Sequence, residues 1–357
     1  MRLIDCKGAL SEKKFPDSEA TRRNKSFWDE AQYVDDDEVI MQFGSPFRVD
    51  AYQKILASKA FRRLASKTQV ITGKTNKHIR TRLTHTFEVM NVASAIARVL
   101  GLNEDLCLAI AAGHDIGHTP LGHAGEAFIS KVTGKSFRHE KFAIILAQMI
   151  ERKCKGMNLT KQTLQGILSH SRGSGNCYLA QNIFEEANVV MYSDKIAYIF
   201  ADINDVFVRS KIMNIEDFPE LSRLLDFFGD NQRERVANCI EALCLETVQK
   251  NKVSFSDSEI AISFNRMKSL MYPIYDLTHA NDEKGVLEKS YEFLSGLEIC
   301  QEVSPALILA LMTDADVFKI FRSDIKDLSI FDQTSVAELI PCLKNKDIPL
   351  NNLNLSW

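Results

Sequence analysis

The chain lacks any apolar run of about 18 residues, so no membrane-spanning helix is expected. It lacks a CxxC pair: its eight cysteines, at 6, 107, 154, 177, 239, 244, 300 and 342, are scattered. That excludes zinc-finger and disulfide-scaffold readings and predicts reduced, mostly buried thiols and a cytoplasmic location. It lacks a marked charge excess, with 44 Lys and Arg against 47 Asp and Glu, so nothing points to a nucleic-acid coat. There is no internal repeat and no low-complexity or Pro-rich linker. The opening MRLIDCKGALSEKKF is too charged for a secretion signal. What remains is a globular balance, 45% hydrophobic and 25% charged. Its 357 residues are enough for one large domain or two ordinary ones.

Strand signals are few and helical spacing is common. Residues 1–44 are polar and charged and read as a solvated arm that packs late. From Ser45 the pattern turns helical. Leu83, Phe87, Met90, Val92, Ile96 and Val99 recur at near-3.6 spacing in TRLTHTFEVMNVASAIARVLG, and Gly101 closes that helix. Asn103 reads as the N-cap of the next, with Glu104 and Asp105 in its first turn. This second helix delivers His114 and Asp115 at its C-terminal end. Further helices are expected from Arg138, over TKQTLQGILSHS, over EEANVVMYSDKIAYIFADINDVF, and through ERVANCIEALCLETVQK and EKSYEFLSGLEIC. Only KVSFSDSEIAISF suggests a small hairpin. The fold class is therefore all-α and multi-helical. The expected organisation is an arm over 1–44, a core over 45–215, and a C-terminal helical region over 216–357 packed on that core.

Seven of the eight histidines fall between His78 and His170, three of them in the stretch HDIGHTPLGHAGE. A lone histidine is usually a satisfied core or surface residue. Three within ten residues, joined to an adjacent Asp and separated by glycines, argue for a site. Neighbouring helical residues diverge by roughly 100°, so His114 and Asp115 converge on one ion only where the helix ends or where the ion lies off its flank. His85, in RLTHTFEV, adds a second imidazole. Asp194 lies on an otherwise apolar helix, where a lone carboxylate is costly to bury, and is the candidate fourth ligand. Such a mixed N/O set suits Mn²⁺, Mg²⁺, Fe²⁺, Co²⁺ or Zn²⁺ without choosing among them. Asp194, Tyr198 and Asp202 share one helix face at i, i+4 and i+8, with Asp205 continuing the polar side toward solvent. TGKS at 133–136 ends like a phosphate-binding loop, but Ile129 stands where that pattern needs glycine, so it reads as a turn.

In order along the chain, SPFRVDAYQKILASKAFRRLASKTQV, RTRLTHTFEV, GHDIGHTPLGHAGE, FRHE and SDKIAYIFADIND resemble the dGTPase-like deoxynucleoside triphosphate triphosphohydrolases of the HD-domain phosphohydrolase superfamily. The likeness covers about residues 45–210, with a weaker echo in ISFNRMKSLMYPIYD. Residues 280–357 and the N-terminal arm carry none. The resemblance implies that His85, His114, Asp115 and Asp194 hold a divalent metal. It places His118, His123, Glu126 and His139 at the reaction centre and has Arg82 and Lys195 grip phosphates. Tyr198 would pack against the sugar, while Asp202 and Gln69 read the 3′-hydroxyl. The implied reaction attacks the α-phosphorus of a dNTP and releases deoxynucleoside and intact triphosphate, in a homo-oligomeric enzyme. His170 is taken as a structural histidine. No basic-aromatic patch supports single-stranded DNA, and no residue marks an allosteric nucleotide site. The rival readings are another HD-type nucleotide phosphatase or phosphodiesterase, and a non-catalytic nucleotide-binding regulator.

Overall fold

The computed structural model describes residues 2–20, 42–72, 76–171, 183–278, 282–324, 328–344 and 346–350. The architecture is all-α, as expected. Among the described residues there is no strand, only an isolated antiparallel bridge between Thr68 and Thr81. The α-helices of seven residues or more are α1 Arg82–Leu100, α2 Glu104–Gly113, α3 Gly122–Thr133, α4 His139–Ile145, α5 Lys161–Ser169, α6 Glu185–Ile203, α7 Pro219–Phe228, α8 Gln232–Lys250, α9 Glu259–Thr278, α10 Asp282–Ser295, α11 Pro305–Leu311 and α12 Asp314–Arg322. No described helix is long and apolar enough to cross a membrane.

Local chemistry sets the helix ends that matter for the site. Thr81 and Thr84 form a reciprocal capping box at the start of α1, and Gly101 ends it in the left-handed region at φ 78°. Asn103 then caps α2 through Leu106 N–H (3.1 Å). α2 and α5 approach closely because each offers a glycine to the other's isoleucine. A Cβ on Gly113 would overlap Ile167, and one on Gly166 would overlap Ile110. That crossing brings the ends of both helices, and with them His114 and His170, to one place.

α6 is the central element. Every residue from Glu186 to Ile203 except Tyr198 is buried, against α1, α2, α5 and α8. Polar groups on such a helix must find partners inside the protein. Asp205, expected to face solvent just beyond α6, is 1% exposed and accepts from Arg80 Nε (2.9 Å) and Arg209 Nη1 (2.6 Å). The departure arises because Arg80, at the entry to α1, needs carboxylates to be buried.

Three other expectations are corrected. Within the expected arm, residues 2–20 are tethered rather than solvated: Cys6 and Leu10 are buried, and Phe15 N–H donates to Glu186 (2.9 Å), while residues 21–41 lie outside the described residues. KVSFSDSEIAISF is not a hairpin. The amides of Ser256, Asp257 and Ser258 donate to the Glu246 carboxylate, so the chain wraps an anion where a strand would need a partner strand, and α9 begins at Glu259. Two of the thiols expected to be reduced, Cys154 and Cys342, form a disulfide with Cα atoms 5.7 Å apart. The pair is 188 residues apart in sequence, so spacing carries no hint of it. Cys6, Cys107, Cys239, Cys244 and Cys300 are free, and Cys177 lies outside the described residues.

Candidate metal centre and substrate pocket

A cavity of about 440 Å³ opens between the ends of α1, α2 and α5 and the flank of α6. Its floor is the cluster expected from the sequence. His85 Nε2 lies 3.1 Å from Asp194 Oδ1 and 3.4 Å from His114 Nε2. His114 Nε2 lies 3.5 Å from Asp115 Oδ1 and 3.9 Å from Asp194 Oδ1. His114 Nδ1 donates to Ala111 O (2.7 Å), which leaves Nε2 as a bare lone pair aimed into the cluster. Arg82 and His118 face Asp115 and Lys195 faces Asp194 Oδ2, but the single His85 Nε2 proton is left to serve both His114 Nε2 and Asp194 Oδ1. A surplus of lone pairs at a buried centre is what a divalent cation relieves, so the residues fit a metal. Burial pushes the His114 imidazole below its ordinary range, toward the neutral form that ligates. Against the same burial, His114, Arg82 and His118 hold Asp115 well below the usual carboxylate range. Lys195 and His85 do so for Asp194.

A second cluster adjoins the first. A Cβ on Gly117 would overlap the backbone of His139 and Ala143, so the turn after α2 sits directly on the start of α4. His118 and His139 consequently stack at 3.7 Å between ring centroids. Glu126 Oε1, from α3, accepts from His139 Nδ1 (3.0 Å). His118 Nδ1 is 2.9 Å from the same oxygen but off its N–H line, so His139 holds the better-aligned bond. Against burial, Glu126 raises the His139 imidazole above its ordinary range, while burial and Arg82 depress His118. His123 stands at the pocket mouth, its ring 5.5 Å from that of His118.

The remaining sequence candidates also line the cavity. Arg82 pairs through Nη1 with Asp115 Oδ2 (3.0 Å), and its Nε has no partner. Lys195 Nζ is 3.1 Å from Asp194 Oδ2. Tyr198 and Asp202 follow along α6, and Gln69 faces them with a buried Oε1 that makes no hydrogen bond. Asp202 is held by Arg80 and by Tyr275 OH (2.7 Å).

Several pocket residues were missed. His170, taken as structural, lines the cavity, its Nε2 3.3 Å from His139 Nε2. Tyr272 and Tyr275 come from the YPIYD stretch of α9, where two tyrosines beside an in-helix proline were the available signal. Asp314, at the start of α12, reaches back to Thr68 N (2.8 Å), Thr68 Oγ1 (2.6 Å) and Leu121 N (2.9 Å). TGKS is a turn, with Gly134 at φ 66° and Lys135 exposed.

A family model described as the HD domain matches residues 82–199, the span from Arg82 through α6 that carries all four candidate ligands. The chain is 37% identical over 257 residues to a deoxyguanosinetriphosphate triphosphohydrolase-like protein of Clostridium perfringens, covering 69% of this chain and 73% of that one. The chain belongs to this family. A like-named protein of Caldanaerobacter subterraneus is 41% identical over 222 residues, and one of Rickettsia prowazekii is 31% identical over 262. The match spans 63% of the Caldanaerobacter protein and 65% of a like-named Clostridium tetani protein, just under two thirds of each. The His114–Asp115 step at the end of α2 lies within the matched residues.

Proposed function

We propose that this chain is a metal-dependent phosphohydrolase that cleaves dNTPs at the α-phosphorus, giving deoxynucleoside and triphosphate. The observation that carries the reading is the cluster of His85, His114 and Asp115, with Asp194 3.1 Å from His85 and 3.9 Å from His114, beside a cavity whose walls carry Arg82 and Lys195. These four residues would hold a divalent cation, which would lower the pKa of a water toward neutral and offset phosphoryl charge. Arg82 and Lys195 supply fixed positive charge for the triphosphate. Gln69 offers an unpartnered carbonyl to a sugar hydroxyl, and Tyr198 and Asp202 extend the same wall. The reaction adds water oxygen to the α-phosphorus and breaks its bond to O5′. The proton that O5′ then needs comes from the His118, His123 and His139 group, within which Glu126 fixes the ring orientation of His139.

Support comes from the ordered donor set, from the depressed Asp115 and Asp194 and from the names of the relatives. The test is to incubate the purified protein with each dNTP and Mn²⁺ or Mg²⁺ and separate products by ion exchange. Deoxyguanosine with triphosphate is the expected outcome for dGTP. dGDP with orthophosphate would sink the reading.

A further inference from the structure

Arg80 is a buried cation just before α1 that does not line the cavity. Each of its three guanidinium nitrogens donates to a carboxylate. Nε meets Asp205 Oδ2 (2.9 Å), Nη1 meets Glu88 Oε2 (2.8 Å), and Nη2 meets Asp202 Oδ1. Asp205 has a second cation in Arg209, and Glu88 reaches partly into solvent. Asp202 is buried, and its other oxygen accepts from Tyr275 OH (2.7 Å) on α9. Of the three carboxylates, only Asp202 borders the cavity. Burial pushes Asp202 up to about 6, against Arg80 and the Tyr275 hydroxyl, which hold it down, while His85 and Asp205 act on it with opposite signs. Arg80 is thus the cation that offsets the burial of the one carboxylate a ligand can reach.

Arg80 is no phosphate ligand, because each of its nitrogens already has a carboxylate partner. Arg82 differs, since its Nε has none. A carboxylate offers about four lone-pair sites. The bonds from Arg80 and Tyr275 therefore fix the plane of Asp202 and still leave it able to accept another hydrogen bond. Gln69 borders the same cavity with an unpartnered Oε1. A planar fork can hold three carboxylates in fixed directions, which one ammonium cannot do. We propose that Arg80 is a positioning residue for substrate selection: it fixes the Asp202 carboxylate in one orientation as the acceptor for the 3′-hydroxyl of the nucleotide. This role rests on the nucleotide-hydrolase reading above and deepens it.

The test compares nucleotides that differ only at the 3′ position. Binding of dGTP and of 2′,3′-dideoxyguanosine triphosphate is measured by calorimetry with a chelator present, and triphosphate release with Mn²⁺ is measured separately. The wild type should prefer dGTP by roughly 10–10²-fold, the worth of a hydrogen bond to a charged group. In Arg80→Gln, checked for folding by circular dichroism, that preference should fall toward unity while affinity for the dideoxy nucleotide stays near that of the wild type. Equal losses for both nucleotides would mean that Arg80 only supports the fold. An unchanged preference would mean that Asp202 reads the sugar without it. Either result overturns the role, as does a wild type that shows no preference or no binding. A wild type that prefers dGTP but releases no triphosphate with Mn²⁺ sinks the α-phosphorus reading, and the binding ratio in Arg80→Gln still decides the role of Arg80. If Arg80→Gln does not fold, Arg80→Lys decides. It keeps the buried charge without the fork, so its preference should also fall, and a preference equal to that of the wild type refutes the role.

Discussion

Asp314 lies at least 120 residues from every candidate metal ligand in sequence, yet its replacement should disable the pocket. Its buried carboxylate accepts from Thr68 N, Thr68 Oγ1 and Leu121 N at 2.6–2.9 Å. Thr68 precedes Gln69, and Leu121 precedes Gly122 and His123, so one side chain pins two walls. Asp314→Ala leaves the buried Leu121 N–H and the half-buried Thr68 N–H without acceptors, at up to about 1–3 kcal/mol each. Leu121 is also held at φ 57°, a conformation that costs a non-glycine residue roughly 1–2 kcal/mol and relaxes once its anchor is gone. Because relief of that strain offsets part of the lost hydrogen bonding, a net destabilisation of about 1–4 kcal/mol is expected. The catalytic loss comes separately, since a displacement of about 1 Å in a positioned group can cost ~10²-fold in rate. Asp316→Ala is the control. Asp316 caps α12 through Thr313 N (2.8 Å) and accepts from Ser335 N (2.9 Å), but neither partner lines the cavity. The assay is thermal unfolding together with kcat/KM at a temperature where both variants are folded. Asp314→Ala should lose both stability and kcat/KM, whereas Asp316→Ala should lose stability alone. Equal kcat/KM in the two variants would refute the anchoring argument.

Glu246→Gln should destabilise the chain at neutral pH, because the wrapped amides of residues 256–258 lose their anion. Against the cost of burial, hydrogen bonds from Ser254, Lys250 and those amides hold this carboxyl down to about 2, so its contribution is fully present above about 4.5 and is lost as pH falls toward about 2. The melting-temperature gap between variant and wild type should shrink across that window, and a gap independent of pH would contradict the assignment. Glu126→Gln should keep bound metal, measured directly, and lose ~10²–10⁴-fold in kcat, since Glu126 orients the His139 ring. Tyr198→Ala should lower the ratio of kcat/KM for dGTP over GTP, because an apolar pocket rejects an added hydroxyl by only roughly 10²-fold unless a ring fills its space. An unchanged ratio in a folded, metal-loaded variant would show that the ring does not gate the sugar.

Features set by local chemistry were legible in the sequence. The Asn103 cap, the Gly101 stop and the helix-end position of His114 all depend on residues within a few positions of one another, as does the shared face of Asp194, Tyr198 and Asp202. What was hidden depends on distant partners. His170 becomes a pocket residue only because Gly113 and Gly166 let α2 and α5 cross closely. Asp205 turns inward because Arg80 is buried opposite it. The alternating pattern of KVSFSDSEIAISF reads as strand until Glu246 is placed beneath its amides. Cys154 and Cys342 offered no motif, and Asp314 sits in a region with no recognisable likeness.

The central claim is hydrolysis at the α-phosphorus, and the fate of the water oxygen tests it most directly. Hydrolysis of dGTP in ¹⁸O-labelled water, followed by mass spectrometry of the products, should place one ¹⁸O in triphosphate and none in deoxyguanosine. Label in orthophosphate alongside dGDP would mean terminal-phosphate attack, and label in deoxyguanosine would mean cleavage at the sugar carbon. Either result would contradict the account.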